Sequence, residues 1–169
     1  EAVVFPPGLE QVRGNALSQC PKLVAVDLSA CHRLRSIGGG AFSRCAALKT
    51  FVFPPNLQSL YDSVLALCPK LRAVHLGACP VLREIGTMAF SFCDSLATVD
   101  FPPSLTTVKD RAFYECSTLK ALDLSQCGRL HSIGEGTFGS CAALERVVLP
   151  PGLSVPRSSS LHQFIAADS

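Results

Sequence analysis

Nine cysteines are the first residues in this chain that could do chemistry. Thiolates ligate zinc, form disulfides and act as nucleophiles. Their spacing points elsewhere. Cys20, Cys45, Cys68, Cys93, Cys116 and Cys141 follow one another at alternating steps of 25 and 23 residues, and Cys31, Cys79 and Cys127 recur every 48. No paired C-x-x-C occurs, and His32 beside Cys31 has no counterpart beside Cys79 or Cys127, so no metal site is expected. Thiols repeated in this way read as small buried apolar residues. A disulfide ladder between neighbouring units is the alternative, since repeats stacked about 4.8 Å apart bring Cα atoms within bridging range. An odd count would leave one thiol free.

Two other patterns suggest chemistry. Gly134-Glu135-Gly136-Thr137-Phe138-Gly139 matches G-x-G-x-x-G, the pattern of a phosphate-cradling loop. The segments 48 and 96 residues earlier, Gly86 to Ser91 and Gly38 to Ser43, place glycine by the same rhythm, and the accompanying kinase motifs are missing. Asp27, Asp100 and Asp123 recur at one strand position, a surface row rather than an acid/base pair. His131 aligns with Arg35 and Arg83, which makes it a solvated position, whereas His75 falls on a strand face beside Arg72. There is no serine elbow and no Cys/His pair outside the rhythm. No catalytic residue, cofactor or metal is expected, and the chain reads as a non-enzyme.

The elements that position these residues form a repeat. Val24 to Leu48, Arg72 to Leu96 and Lys120 to Leu144 align at an offset of 48. Between them lie shorter units built on φ-x-F-P-P-x-L, with φ apolar, so units of 23 and 25 residues alternate. A period in the twenties means coils that share one core by stacking. In the long units Leu23, Val26, Leu28 and Cys31 keep a strand-like alternation, apolar in and variable out. Ile37, Ala41, Phe42, Cys45 and Leu48 then space as one buried face of a short helical return. Gly38, Gly86 and Gly134 mark the turn between the two. Pro6-Pro7, Pro54-Pro55, Pro102-Pro103 and Pro150-Pro151 should end each short-unit strand after Phe5, Phe53, Phe101 and Leu149. Their extended path would span the arc with two fewer residues. Phe42, Phe90, Phe113 and Phe138 should be buried.

The run L-x-x-L-x-L-x-x-C, with Ile-Gly-x-x-Ala-Phe-x-x-Cys-x-x-Leu and Phe-Pro-Pro-x-Leu, resembles the BspA-like class of leucine-rich repeats. The match covers residues 1 to about 153; the strict two-unit alternation is more regular than that family usually shows, as tandem duplication or design would produce. The expected fold is α/β: a right-handed, horseshoe-like solenoid of about seven coils, each with one short parallel strand on a concave face and one helical return. Residues 1–153 form the tandem array and 154–169 a degenerate last coil. There Ser160, Leu161 and Phe164 take the places of Ala112, Phe113 and Cys116. The chain begins as a strand near Val3 rather than as a signal peptide or a polar cap, and further repeats are expected upstream.

Composition bounds the function. The net charge is +2 and charged residues are 17% of the 169, too little for an electrostatic grip on nucleic acid or an anionic membrane. Hydrophobic residues reach 48%, which excludes a disordered chain. No apolar run is long enough to span a bilayer. What is left is a surface. The outward strand positions form three columns, and Lys49, Val52, Arg72, His75, Asp100, Lys120 and Asp123 are the candidate partner-binding residues on them, with no aromatic anchor. The resemblance implies a protein- or peptide-binding module of recognition or adhesion, on the cell surface or secreted. A structural or designed scaffold without a ligand, or the recognition part of an enzyme whose catalytic domain lies elsewhere, are the other readings.

Overall fold

The computed structural model describes residues 2–153 together with Val155 and Leu161. Twelve strands follow in order: β1 (Ala2–Val4), β2 (Ala25–Asp27), β3 (Ser36–Ile37), β4 (Thr50–Val52), β5 (Ser59–Leu60), β6 (Ala73–His75), β7 (Glu84–Ile85), β8 (Thr98–Asp100), β9 (Thr107–Val108), β10 (Ala121–Asp123), β11 (Ser132–Ile133) and β12 (Arg146–Val148). The three-residue strands form one face, and the two-residue strands a second. All pairings are parallel.

The register follows the alternation read from the sequence. Ala2 pairs with Ala25, and Ala25 with Thr50. On the second face Ser36 pairs with Ser59, and Ser59 with Glu84. The step of 23 therefore follows the short unit on the first face and the long unit on the second. The two-residue difference lies in the arc between the faces, where the prolines sit. The strands do not end at proline, however. They stop at Val52 and Asp100 in short units, and equally at Asp27 and His75 in long units, which lack the Pro-Pro pair. The arc itself turns the chain.

The helical return and the α/β class are corrected: no helix occurs among the described residues. The apolar face is as expected, but the backbone bonds sideways. Gly40, Phe42 and Arg44 donate N–H to Asp62, Val64 and Ala66 of the next coil at 2.9, 2.9 and 2.8 Å. Met88, Phe90 and Phe92 do the same to Asp110, Ala112 and Tyr114. Between these, Ala41 and Ser43 close tight turns onto Gly38 and Gly40. Each return carries two left-handed residues four apart, as at Gly40 (φ 65°) and Arg44 (φ 59°). A helix would spend the same N–H groups on its own fourth-preceding carbonyls, so the two arrangements exclude each other.

About six turns are complete. β12 opens a seventh whose course beyond Leu153 is described only at Val155 and Leu161, so the described residues establish about six turns of the expected seven. Leu161, in the place of Phe113, is buried. Ser160, His162 and Phe164 lie outside the described residues.

The core is continuous along the stack. Phe42, Phe90, Phe113 and Phe138 are buried as expected. Phe90 and Phe138 stack on either side of Phe113, with centroids at 5.0 and 5.5 Å. Gly86 is glycine because the preceding coil comes close. A β-carbon there would lie 2.6 Å from the Tyr61 carbonyl carbon and 2.7 Å from the Asp62 nitrogen. The residue serves coil-to-coil approach rather than a positive φ.

All nine cysteines are free thiols. Each of the three thiols that recur every 48 residues donates to the first proline of the unit before. Cys31 reaches the Pro6 carbonyl at 3.6 Å, Cys79 the Pro54 carbonyl at 3.5 Å and Cys127 the Pro102 carbonyl at 3.5 Å. Cys45, Cys68, Cys93, Cys116 and Cys141 likewise donate to return-segment carbonyls of the preceding coil at 3.2 to 3.3 Å. Small, apolar and able to donate weakly, cysteine fits a core position that also meets a carbonyl.

Candidate functional site

The three-residue strands project one outward column through Val4, Asp27 and Val52, His75 and Asp100, then Asp123 and Val148, as their registers show. Along it the coils alternate valine with aspartate until the middle. There His75 replaces the expected acid, and Asp100 replaces the expected valine.

The reason lies in the turn after each strand. Asp27 accepts a hydrogen bond from the Ser29 N–H at 2.9 Å, and Asp123 from the Ser125 N–H at 2.9 Å. Each carboxylate holds its own turn. The hydroxyl of that serine, then its N–H, hold both carboxyl pKa values below the usual range. In the middle unit the equivalent N–H belongs to Gly77, and Asp100 of the next coil supplies the carboxylate at 2.8 Å. The other Asp100 oxygen meets His75 Nδ1 at 2.7 Å. Both side chains stay exposed, at 70% and 52%. The turn keeps its acceptor while position 75 becomes an imidazole.

All seven candidate residues are exposed. The fold brings His75 and Asp100 together and sets Lys120 and Asp123 on the rim of one depression. Lys49 and Val52 lie on a coil further back and join neither. That depression, of about 470 Å³, spans β8, β10 and β12. It is lined by Thr98, Val99, Leu122 and Val148 together with the charged Lys120, Asp123 and Arg146. The strands β8 and β10 that flank it belong to separate sheets, as β4 and β6 also do. Val99 is left half-buried, although Val26, Phe51, Val74 and Leu122 at the same position are buried. The sequence reading selected neither Arg146 nor Val148, and it missed Val99. Nothing in the repeat pattern marks the interrupted pairing.

The glycine-rich segment 134–139 has packing reasons throughout. Gly136 takes a left-handed φ of 61°, and a β-carbon at Gly139 would press on the Tyr114 ring at 3.0 Å. The Glu135 N–H is held by the Asp110 carboxylate at 2.8 Å, a negative group where a phosphate would have to sit. On the second face Lys109 and Glu84 form an ion pair at 2.7 Å. Their hydrogen bond pushes the lysine pKa up. No cluster of three or more potential metal ligands occurs among the described residues, and no helix there is long and apolar enough to cross a membrane.

A family model described as the BspA type leucine rich repeat region matches residues 1–79 and 79–164 in six copies. The chain belongs to the BspA-type leucine-rich repeat family. The six copies agree with the six complete turns of this BspA-type array. Solved structures share the fold. Over 94% of its length the array is similar to a leucine rich cell surface protein from Faecalibacterium prausnitzii, with TM-score 0.75, 23% identity and 39% of that chain covered. A leucine-rich repeat protein from Eubacterium ventriosum matches over 92%, with TM-score 0.76, 22% identity and 40% of that chain covered. A T. pallidum leucine rich repeat protein matches over 88%, with TM-score 0.57, 29% identity and 58% of that chain covered. The BspA-type array thus spans between two-fifths and three-fifths of the length of these three proteins. No curated protein sequence matches it.

Proposed function

We propose that this array is a non-catalytic protein-binding module of a longer surface or secreted protein, and that it binds through the face made by the three-residue strands. Lys49, Val52, Arg72, His75, Asp100, Lys120 and Asp123 are its candidate contact residues. The observation that supports this most is the change at the centre of the column. Two neighbouring coils exchange residue types, the turn at Gly77 keeps its carboxylate, and the visible product is an exposed imidazole. A purely structural repeat has no need of that exchange. Seven strands about 4.8 Å apart offer a surface on the order of 30 Å long, enough for an ordinary protein interface of roughly 800 Å² per partner. The likeness to a cell surface protein of F. prausnitzii favours the same location here. The array runs to about residue 153. Segment 154–169 is its degenerate last coil, a reading that the burial of Leu161 supports.

The test is a pair of exposed charge reversals away from the depression, Lys49→Glu with Arg72→Glu. Neither side chain supports the core, so the melting temperature should not move. Partner proteins captured by the unaltered array should be lost by the double variant. Undiminished capture by a folded double variant would remove this face from consideration.

A further inference from the structure

We infer that a groove across the return segments of the first four coils is a second binding site, and that its ligand is a neutral, hydroxyl-rich oligosaccharide chain. The groove lies on a different face from the three-residue strands, so this inference stands apart from the strand-face reading.

The left-handed residues of successive returns form two rails. Asn15, Ser63 and Met88 stand in one and Gln19, Arg44 and Leu67 in the other, all with φ between 54° and 60°. Between the rails the floor is Ser18, Ser43, Ala66 and Ser91. The groove encloses about 780 Å³, within the range of ligand sites. The Phe92 N–H donates to the Tyr114 carbonyl as the Leu67 N–H does to that of Ser91. Tyr114 therefore takes the floor position in the fifth coil, and the run of small side chains stops there.

The backbone here is spent between coils. Asn15, Gln19, Gly40 and Arg44 donate to the Gly39, Ser43, Asp62 and Ala66 carbonyls at 2.8 to 2.9 Å. No main-chain edge is open along the groove for a peptide strand to extend. The side chains are not spent. Those of Asn15, Ser18, Gln19, Ser43 and Ser63 have no hydrogen-bond partner among the described residues. One backbone donor joins them. The Thr87 and Glu135 N–H groups are held by the Asp62 and Asp110 carboxylates at 2.8 Å. At the equivalent places 48 residues before Thr87 and Asp62 stand Gly39 and Gly14. The Gly39 N–H, on the groove wall, therefore has no acceptor among the described residues.

Hydroxyls and amides both donate and accept. Their complement is a ligand whose groups do both, and every sugar hydroxyl does. Charge points the same way. Arg44 and Asp62 are the charged side chains of the groove, one of each sign, so nothing there selects an ion. Exposed Leu67 and half-buried Met88 offer apolar surface to the C–H face of a sugar ring. Coils about 4.8 Å apart repeat these groups along the groove, as a chain of sugar units repeats its own.

The probes are fluorescein-labelled tetrasaccharides of glucose, of mannose and of N-acetylglucosamine, with tetragalacturonate as the anion and a Gly–Ser peptide as the main-chain control. Binding to the full chain is read by fluorescence anisotropy at low and high salt. A neutral tetrasaccharide should bind, and its affinity should change by no more than about twofold with salt, since no ion pair forms. Ser43→Tyr copies the residue that ends the floor in the fifth coil and should abolish binding. Asn15→Ala with Gln19→Ala, both exposed, should weaken it on the order of tenfold. Gly14→Asp should weaken it by capping the Gly39 N–H as Asp62 caps that of Thr87. Melting temperatures report whether each variant is folded, and if Ser43→Tyr is not, the exposed pair decides. Lys49→Glu with Arg72→Glu should bind sugar as the unaltered chain does, which separates this site from the strand face. Binding of none of the neutral probes would overturn the inference, as would tighter binding of tetragalacturonate or of the peptide. Neutral binding untouched by the folded groove variants would overturn it equally.

Discussion

Asp100 determines what residue 77 is. Its carboxylate accepts the Gly77 N–H at 2.8 Å, and a β-carbon at 77 would collide with that same oxygen. Ser29 and Ser125 fill the equivalent position where the acceptor comes from the residue two before. Gly77→Ser alone should therefore displace Asp100 and destabilise the chain by about 1 kcal/mol. The triple change His75→Asp, Gly77→Ser and Asp100→Val rebuilds the pattern of the flanking units. It should restore the urea midpoint that the single change lowers. A triple variant no more stable than Gly77→Ser would show that the three residues are not one exchange.

The aromatic stack governs stability in mid-array. Phe90 is fully buried against Phe113, and Phe90→Ala should cost about 3–5 kcal/mol in equilibrium unfolding. Each coil touches only its neighbours, so hydrogen exchange should speed up in the adjoining coils more than at Val12 or Leu130. A uniform rise in exchange would contradict nearest-neighbour coupling.

Thiol reactivity should sort by depth. Cys20 and Cys141 are half-buried and the other seven are buried. Burial pushes Cys79 and Cys127 up to about 11 and Cys93 up to about 12. It raises Cys116 and Cys141 as well. Between neighbouring Cys45 and Cys68, their mutual interaction raises Cys68, with burial adding to it, and lowers Cys45. Cys45 has no exposure, so its access still depends on opening of the coil. Ellman's reagent should label Cys20 first in the native chain and reach nine thiols only on unfolding. Rapid native labelling at Cys93 would show that the coils open locally.

Acid should remove one specific contribution. The Ser29 and Ser125 hydrogen bonds hold the Asp27 and Asp123 carboxyls below their unfolded values. A depressed folded pKa means stability that is complete above the unfolded pKa of about 3.9 and lost as pH falls through the lower folded value. Asp27→Asn with Asp123→Asn should flatten that part of the stability profile and leave its slope near neutral pH unchanged. The check is urea unfolding followed across the acid range.

The linear pattern of residue types determined the rhythm of the array. Side-chain period and volume are local properties, so Val26, Phe51 and Val74 announce their burial and the 23- and 25-residue steps announce the register. The burial of Cys31, Cys79 and Cys127 was legible for the same reason. The helical return was misread because Ile37, Ala41, Phe42 and Cys45 present one apolar face whether the chain coils or only turns. Only stacking decides between them: the Phe42 N–H finds the Val64 carbonyl of the next coil at 2.9 Å, a partner that exists after folding and has no trace in local sequence. The same holds for the candidate site. Asp100 stood out as a surface acid, but its partnership with Gly77 and the depression beside β8 depend on where coils lie against each other. Spacing along the chain carries the core; the destinations of backbone hydrogen bonds between coils belong to the tertiary structure alone.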